Sequence, residues 1–270
     1  MSVLHLHLVS DSTGETLESA VKAGLAQFDG VEAVRHFWPM VRSEGHLDRV
    51  MTEIRRVPGL VLFTLVEPKI RAALEARCAA LGLPVIAVLD PVLDGLSRAL
   101  GRRVLAQPGG QHALDEAYFH RIEAINWTQE HDDGQSVADW EAADVVLVGV
   151  SRTSKTPTSF YLANRGLKVA NMPLVPDVPL PAEVLALRRP LVVGLMVQPE
   201  RLVAVRRSRI LGDSGSYSSA YVDPDHVREE ISHARRLFAD RGWKVIDVSR
   251  RSIEETAAEV LHLVQERVAG

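Results

Sequence analysis

The chain has 270 residues, 46% hydrophobic and 24% charged, and a formal net charge of −4. Such a balance describes a globular protein with a large core and excludes a nucleic-acid binder that relies on overall positive charge. Cys78 is the only cysteine, which excludes an intramolecular disulfide and a cysteine-rich zinc site.

The first apolar run, 4–9, leads into Ser10-Asp11-Ser12-Thr13-Gly14-Glu15-Thr16 and then a helical pattern over 15–27, with Thr13 to Thr16 as its expected cap. Further strands are expected at 33–37, 60–65 and 85–89, with helices over 46–57 and 69–81. Cys78 falls on the face of the last of these helices and is expected to be buried and inert. Gly82-Leu-Pro84 stops that helix. Asp90 closes the 85–89 run, the position from which a strand offers a carboxylate to magnesium, although Asp90-Pro91 also makes an ordinary turn. A loop at 107–112 and a helix over 113–129 follow. Asp132-Asp133-Gly134-Gln135-Ser136 is a polar break, which sets a domain boundary at 138/139.

The second half repeats the alternation. Strands are expected at 145–148, 169–170, 191–197 and 244–248, and helices at 158–164, 199–211, 224–241 and 252–268. Ser252-Ile-Glu-Glu255 has the form of a capping box, and Gly242 stops the preceding helix. The stretch from Pro173 to Pro181, with Pro176 and Pro179 between them, reads as an extended connection. Near-continuous apolar strands suit a parallel sheet covered on both faces. The expected fold is therefore α/β: mostly parallel sheets with flanking helices, an α/β N-terminal half (1–138) and a C-terminal half (139–270) that carries a phosphate-binding loop. No internal repeat is visible. Residues 1–9 lack a signal-peptide pattern and no apolar run reaches about 18 residues, so a cytoplasmic protein with no membrane segment is expected.

The phosphate-binding expectation comes from residues 144–162. An apolar run ends at Gly149, a polar loop follows, and Lys155-Thr156 opens a helix. Backbone N–H groups of such a loop converge on an anion, the helix start adds unpaired donors, the lysine adds charge and the threonine hydroxyl reaches magnesium. The loop residues are Gly149, Val150, Ser151, Arg152, Thr153, Ser154, Lys155 and Thr156, with Ser154 standing where the usual pattern has its second glycine. Elsewhere the chemistry is less specific. Asp11, at the end of a strand, can hold a metal or accept a proton, but on this segment alone simple helix capping by the Ser and Thr around it is the favoured explanation. His131-Asp132-Asp133-Gly134 offers two carboxylates as metal ligand or general base, or is an acidic surface turn, with nothing to choose between them. Arg206 and Arg209 share a helix face and can grip phosphate, or form a solvated basic surface. The hydroxyl-rich segment 212–221 reads as a lid or docking loop. His5 and His7 share a strand face and read as structural, and the ten histidines show no metal-ligand spacing.

Taken together, Val9-Ser-Asp-Ser-Thr-Gly-Glu-Thr16, Tyr118-Phe-His-Arg-Ile-Glu-Ala124, His131-Asp-Asp-Gly134, Gly149-Val-Ser-Arg-Thr-Ser-Lys-Thr-Pro-Thr-Ser159 and Ala163-Asn-Arg-Gly-Leu-Lys-Val-Ala-Asn-Met-Pro-Leu-Val-Pro176 resemble the bacterial regulatory proteins of pyruvate, phosphate dikinase and of phosphoenolpyruvate synthase. The resemblance spans essentially the whole chain. It implies a bifunctional enzyme that phosphorylates a threonine of its target with ADP as donor and removes that phosphate with inorganic phosphate, releasing pyrophosphate. Serine rather than glycine before Lys155 resembles the dikinase branch. On this reading 149–156 hold the nucleotide; Lys155, Arg152, Arg206 and Arg209 neutralise charge; Thr156 with Asp11 or Asp90 holds Mg²⁺; and Asp132 or Asp133 is the base. A non-catalytic nucleotide sensor that blocks the dikinase by contact, and a small-molecule kinase using ATP, are the alternatives. A homodimer is left open.

Overall fold

In the computed structural model, residues 3–110, 116–175, 178–212 and 219–269 are described. Contacts divide the chain into two units, Met1–Ala113 and Leu114–Gly270. The first unit contains the strands β1 (Leu4–Ser10), β2 (Ala33–Trp38), β3 (Leu60–Thr64) and β4 (Val85–Ala87), with helices α1 (Glu15–Leu25), α2 (Glu44–Arg56), α3 (Pro68–Ala80) and α4 (Asp90–Leu100). The second contains helix α5 (Glu116–Glu130), strand β5 (Val145–Val150), helix α6 (Lys155–Ala163), β6 (Val169–Leu174), α7 (Ala182–Ala186), β7 (Leu191–Met196), α8 (Pro199–Gly212), α9 (Pro224–Arg241), β8 (Lys244–Asp247) and α10 (Ile253–Ala269). Each unit has one four-stranded, all-parallel sheet, in the orders β2-β1-β3-β4 and β6-β5-β7-β8. The two orders are the same pattern, a repeat of topology that the sequence does not show.

Burial explains why these runs form strands. In β5, Val146, Val148 and Val150 enter one apolar cluster with Phe238 and Ile231, while Val145 and Leu147 enter another with Leu162 and Val260. Successive side chains point to opposite faces, so a strand covered on both sides must be apolar throughout. The first unit does the same: Val9, Val61 and Phe63 pack with α2 and α3, and Leu6 and Leu8 pack with Leu17 and Val21 of α1.

Several expectations are corrected. The expected division at 138/139 falls inside the second unit, because α5 packs on α6 and β6, and Thr128 Oγ1 accepts the Val169 N–H at 3.0 Å. The strand ending at Asp90 is shorter. Pro91 sits in the first turn of α4, where its ring suits a helix start, so Asp90 opens a helix that the sequence reading missed. α7 was missed as well. Helix α1 begins on Gly14, whose φ of 84° suits glycine. Pro173 lies inside β6 rather than in an extended connection; β6 is a sheet edge, where a missing N–H breaks no second ladder. Pro176 and most of the 212–221 loop, including 213–218, lie outside the described residues. The capping box at Ser252 is present in both directions, Ser252 N–H to Glu255 Oε2 at 2.7 Å and Glu255 N–H to Ser252 Oγ at 3.1 Å. Cys78 is buried, which raises its thiol pKa. Among the described residues no helix is long and apolar enough to cross a membrane.

Candidate functional site

Strand β5 lies at the centre of its sheet, and the chain turns over its carboxyl end into α6. Beside it the sheet reverses its order of construction, from β6 on one side to β7 on the other, and ligands of open α/β sheets bind at such points. Gly149 is required there: a Cβ would stand 2.8 Å from both the Leu195 carbonyl oxygen and Thr153 Oγ1. Thr153 Oγ1 donates to the Val150 carbonyl at 3.0 Å and closes the loop on itself. Arg152 and Ser154 both take left-handed backbone, φ 78° and 59°. Ser154 thus has the conformation that a glycine would supply without strain, and it makes no side-chain cap on α6. Ser154→Gly is expected to stabilise the fold by about 0.5 kcal/mol, the relief of left-handed strain less the entropy glycine adds to the unfolded chain. Ser154→Ala keeps the strain and should show no gain; urea midpoints at constant slope measure both.

Lys155 begins α6 and is only 6% exposed. Its Nζ donates to the Val150 carbonyl at 3.1 Å. Burial lowers its pKa from 10.5 to about 8, against the attraction of Asp133 and Asp132, with Arg206 adding a smaller depression. An ammonium held out of water against a loop carbonyl gains strongly from an anion placed beside it.

The second component is the 3₁₀ turn Asp132–Gly134, which packs on β6. His131 anchors it. The imidazole is buried, stacks on Trp127 with centroids 3.6 Å apart, and bonds to the Trp127 carbonyl and, at 2.9 Å, to Asp139. Both ring nitrogens are therefore engaged, and His131 serves as an anchor. The turn brings Asp132 against the loop: Thr156 Oγ1 donates to Asp132 Oδ1 at 3.0 Å, and Asn171 Nδ2 donates to the same oxygen. Asn171 Oδ1 accepts the Asp133 N–H at 3.3 Å. Asp133 itself has φ 48° and faces a cavity of about 610 Å³ that Lys155, Thr156, Arg152 and Arg209 also line. The structure thus joins Gly149 to Thr156, both carboxylates and Arg209 in one place.

Asn171 escaped the sequence reading. It is a fully buried amide inside an apolar strand, Val-Ala-Asn-Met-Pro-Leu, and that polar interruption was the available signal.

Three expected residues have partners of their own within their units. Arg206 is 1% exposed and is committed to protein partners: Glu230 at 2.7 and 3.1 Å, the Tyr221 carbonyl at 3.0 Å, and the Tyr221 ring. It reaches the Ser151 carbonyl at 3.5 Å, so it supports the loop from below. Its terminal nitrogens thus act as a buried strut, while its Nε has no hydrogen-bond partner among the described residues. Arg206→Ala leaves Glu230, itself 7% exposed, without its cation; a loss of about 3 kcal/mol is expected, read by chemical denaturation, with a double replacement of both by apolar residues recovering most of it. Asp11 and Asp90 belong to the first unit. Asp11 Oδ2 accepts the Val66 N–H at 2.7 Å, and its carbonyl accepts from Arg42 Nε at 2.6 Å. Both oxygens of Asp90 accept from the Arg71 guanidinium. His5 bonds to His36 at 3.1 Å. His7 is buried, bonds to the Val57 carbonyl and stacks on His36, in keeping with a structural pair.

Among the described residues no three His, Cys, Asp or Glu side chains converge as a metal cage. The hydroxyl of Thr156 and the carboxylate of Asp132 are hard oxygen donors of the kind Mg²⁺ uses when phosphate oxygens and waters complete its shell.

Comparison with known proteins fits this arrangement. Curated relatives include a protein of Rhizorhabdus wittichii, 62% identical over 98% of this chain and 97% of that protein, and one of Sphingopyxis alaskensis, 60% identical over the full length of both. A Maricaulis maris protein is 52% identical over 97% of this chain and 94% of its own length. All three bear the provisional name pyruvate, phosphate dikinase regulatory protein. A family model described as kinase/pyrophosphorylase matches residues 6–261, and with it the chain belongs to the kinase/pyrophosphorylase family.

Proposed function

We propose that the protein regulates pyruvate, phosphate dikinase by covalent modification: it phosphorylates a threonine of the dikinase with ADP as donor, and removes that phosphate with inorganic phosphate, releasing pyrophosphate. The observation that carries this reading is the buried, cation-bearing loop 149–156 meeting the acidic turn 132–134 through the Thr156–Asp132 bond. The family and the names of the relatives support the target and the reaction class.

Phosphoryl transfer needs positioning and charge neutralisation more than covalent help, because its transition state is loose and its charge is spread over the equatorial oxygens. The loop amides, Lys155 and the N-terminus of α6 hold the diphosphate of ADP. Asp133, on the wall of the same cavity, takes the proton of the threonine hydroxyl. The Oγ–P bond forms while the bridging P–O bond breaks, and AMP leaves. In reverse an oxygen of inorganic phosphate attacks the phosphothreonine phosphorus, the P–Oγ bond breaks, the acid form of Asp133 returns a proton to Oγ, and pyrophosphate leaves. Thr156 and Asp132 are the residues to hold Mg²⁺, which when bound supplies charge neutralisation to phosphate oxygens.

The test is incubation with ADP and purified pyruvate, phosphate dikinase or phosphoenolpyruvate synthase, followed by mass spectrometry of the target threonine. Phosphate on the dikinase threonine with stoichiometric AMP is expected. Inhibition of the dikinase without a mass change would select a non-catalytic nucleotide sensor, and phosphate on the synthase alone would reassign the target.

A further inference from the structure

The β5–α6 loop has a second flank that the mechanism above leaves unused. On the side of β7 and β8 lies a cavity of about 320 Å³, formed by the loop, by the start of α8 and by the segment 248–252 that joins β8 to α10. Four guanidinium groups line it: Arg152, Arg201, Arg250 and Arg251. No acidic residue lines it, although Arg251 also pairs with Glu259 at 3.1 Å, and Asp247 stands behind Ser249, whose hydroxyl donates to it and lowers its pKa most, with Arg251 adding a smaller depression. Hydroxyls of Ser249 and Ser252 complete the polar wall.

Several features make this a prepared site rather than a basic surface. Arg152 is half-buried, and its Nε is out of water with no hydrogen-bond partner among the described residues, so one N–H of its guanidinium has nothing there to receive it. A desolvated donor of this kind is costly unless a ligand completes it. Arg152 is also held in left-handed backbone, a conformation tolerated where function demands it. The opposite wall is fixed. Gln198 N–H donates to Ser249 Oγ at 2.8 Å, Val248 N–H to the Met196 carbonyl at 2.8 Å, and the capping box locks the entry to α10.

The charge on the other flank is smaller. There Lys155, Arg152 and Arg209 stand with Asp133 on the cavity wall and Asp132 beside Lys155, and Arg206 is neutralised by Glu230. Phosphorolysis must bring two phosphate groups together, and each carries negative charge that repels the other. The cations around Lys155 are offset in part by two carboxylates, whereas the adjacent flank adds Arg201, Arg250 and Arg251 with no carboxylate on its wall.

We propose that this arginine-lined cavity is a binding site for inorganic phosphate, separate from the position beside Lys155, and that it presents the acceptor phosphate to the reacting centre across Arg152 and Ser154, which line both cavities. Its assignment to the acceptor rests on the phosphorolysis reading; phosphate binding itself does not.

The test is isothermal titration of the full-length protein with inorganic phosphate and, separately, with ADP. Three proteins are compared: wild type, Lys155→Ala, and the double variant Arg201→Gln/Arg251→Gln. Both arginines are exposed, so the double variant should fold, which its melting temperature checks. The expected result is that Lys155→Ala still binds phosphate. The double variant should lose phosphate affinity by about tenfold or more, while its ADP affinity shifts by less than about threefold. Loss of phosphate binding in Lys155→Ala with retention in the double variant would overturn the proposal. Competition between adenosine and phosphate, or loss of ADP binding in the double variant, would also overturn it, by making the cavity a nucleoside seat. Failure of wild type to bind ADP or to modify any threonine counts against the kinase reading alone and leaves the phosphate titrations to decide this one.

Discussion

Lys155→Met is expected to lower kcat/KM for threonine phosphorylation by about 10³-fold, roughly 4 kcal/mol, with most of the folded structure intact. The ammonium is nearly buried, and among the described residues its hydrogen-bond acceptor is the Val150 carbonyl. Its charge is therefore poorly compensated until a phosphate arrives. Two independent readouts follow from the lowered pKa of about 8. In the ligand-free protein the unfolded chain binds more protons than the folded one between about pH 8 and the usual lysine value. Stability from this group consequently rises with pH through that window, by on the order of 3 kcal/mol, and is flat below it. Lys155→Met lacks the rise and should be the more stable protein at neutral pH. Binding of an anion pulls the lysine pKa back up. ADP binding at pH 8.5 should then take up protons, seen as a buffer-dependent titration enthalpy, and ADP affinity should fall above pH 8. A Lys155→Met protein with unchanged kinetics, or a wild type with no proton uptake, would remove Lys155 from the mechanism.

Much of this architecture was legible in the sequence because the two sheets are parallel and covered on both faces. A strand such as Val145–Val150, fully buried, leaves no room for polar residues, so the apolar run itself marks the element. Among the described residues the strands fall where the runs are. What failed was local chemistry overridden by context. Asp90-Pro91 reads as a strand end and turn, but the proline suits the first turn of a helix, and Arg71 holds Asp90 there. Arg206 reads as an exposed basic residue because its sequence neighbours are arginines. Its partner Glu230 lies on α9, distant in sequence, and no local pattern pairs them. The acidic turn was visible as residues but not as a site: its approach to Thr156 depends on Asn171 in a different strand and on His131 stacked against α5. The arginine cavity is assembled from three segments separated in sequence, so no local pattern reveals it.

The two adjacent carboxylates are expected to separate cleanly by experiment. Asp132 accepts from Thr156 and Asn171 on one oxygen, so its position is fixed by the loop and by β6. Asp133 lines the open cavity and is held by its backbone, through its N–H to Asn171, with the side chain left to face an incoming hydroxyl. Asp133→Asn keeps the shape and removes the proton acceptor. It should lower kcat for phosphorylation by about 10²–10⁴-fold while leaving ADP affinity within a few-fold of wild type. The reverse reaction should fall by a similar factor, because the group that accepts the threonine proton in one direction returns it in the other. Asp132→Asn should instead raise the Mg²⁺ concentration needed for half-maximal rate, and excess Mg²⁺ should recover part of the activity, since a neutral amide still bonds to Thr156 but holds a cation weakly. Asn171→Ala frees both carboxylates from one anchor and should reproduce part of each defect. If Asp133→Asn turned over normally while Asp132→Asn was dead at every Mg²⁺ concentration, the roles assigned to the two residues would be exchanged. The proton would then leave through the carboxylate that touches Thr156.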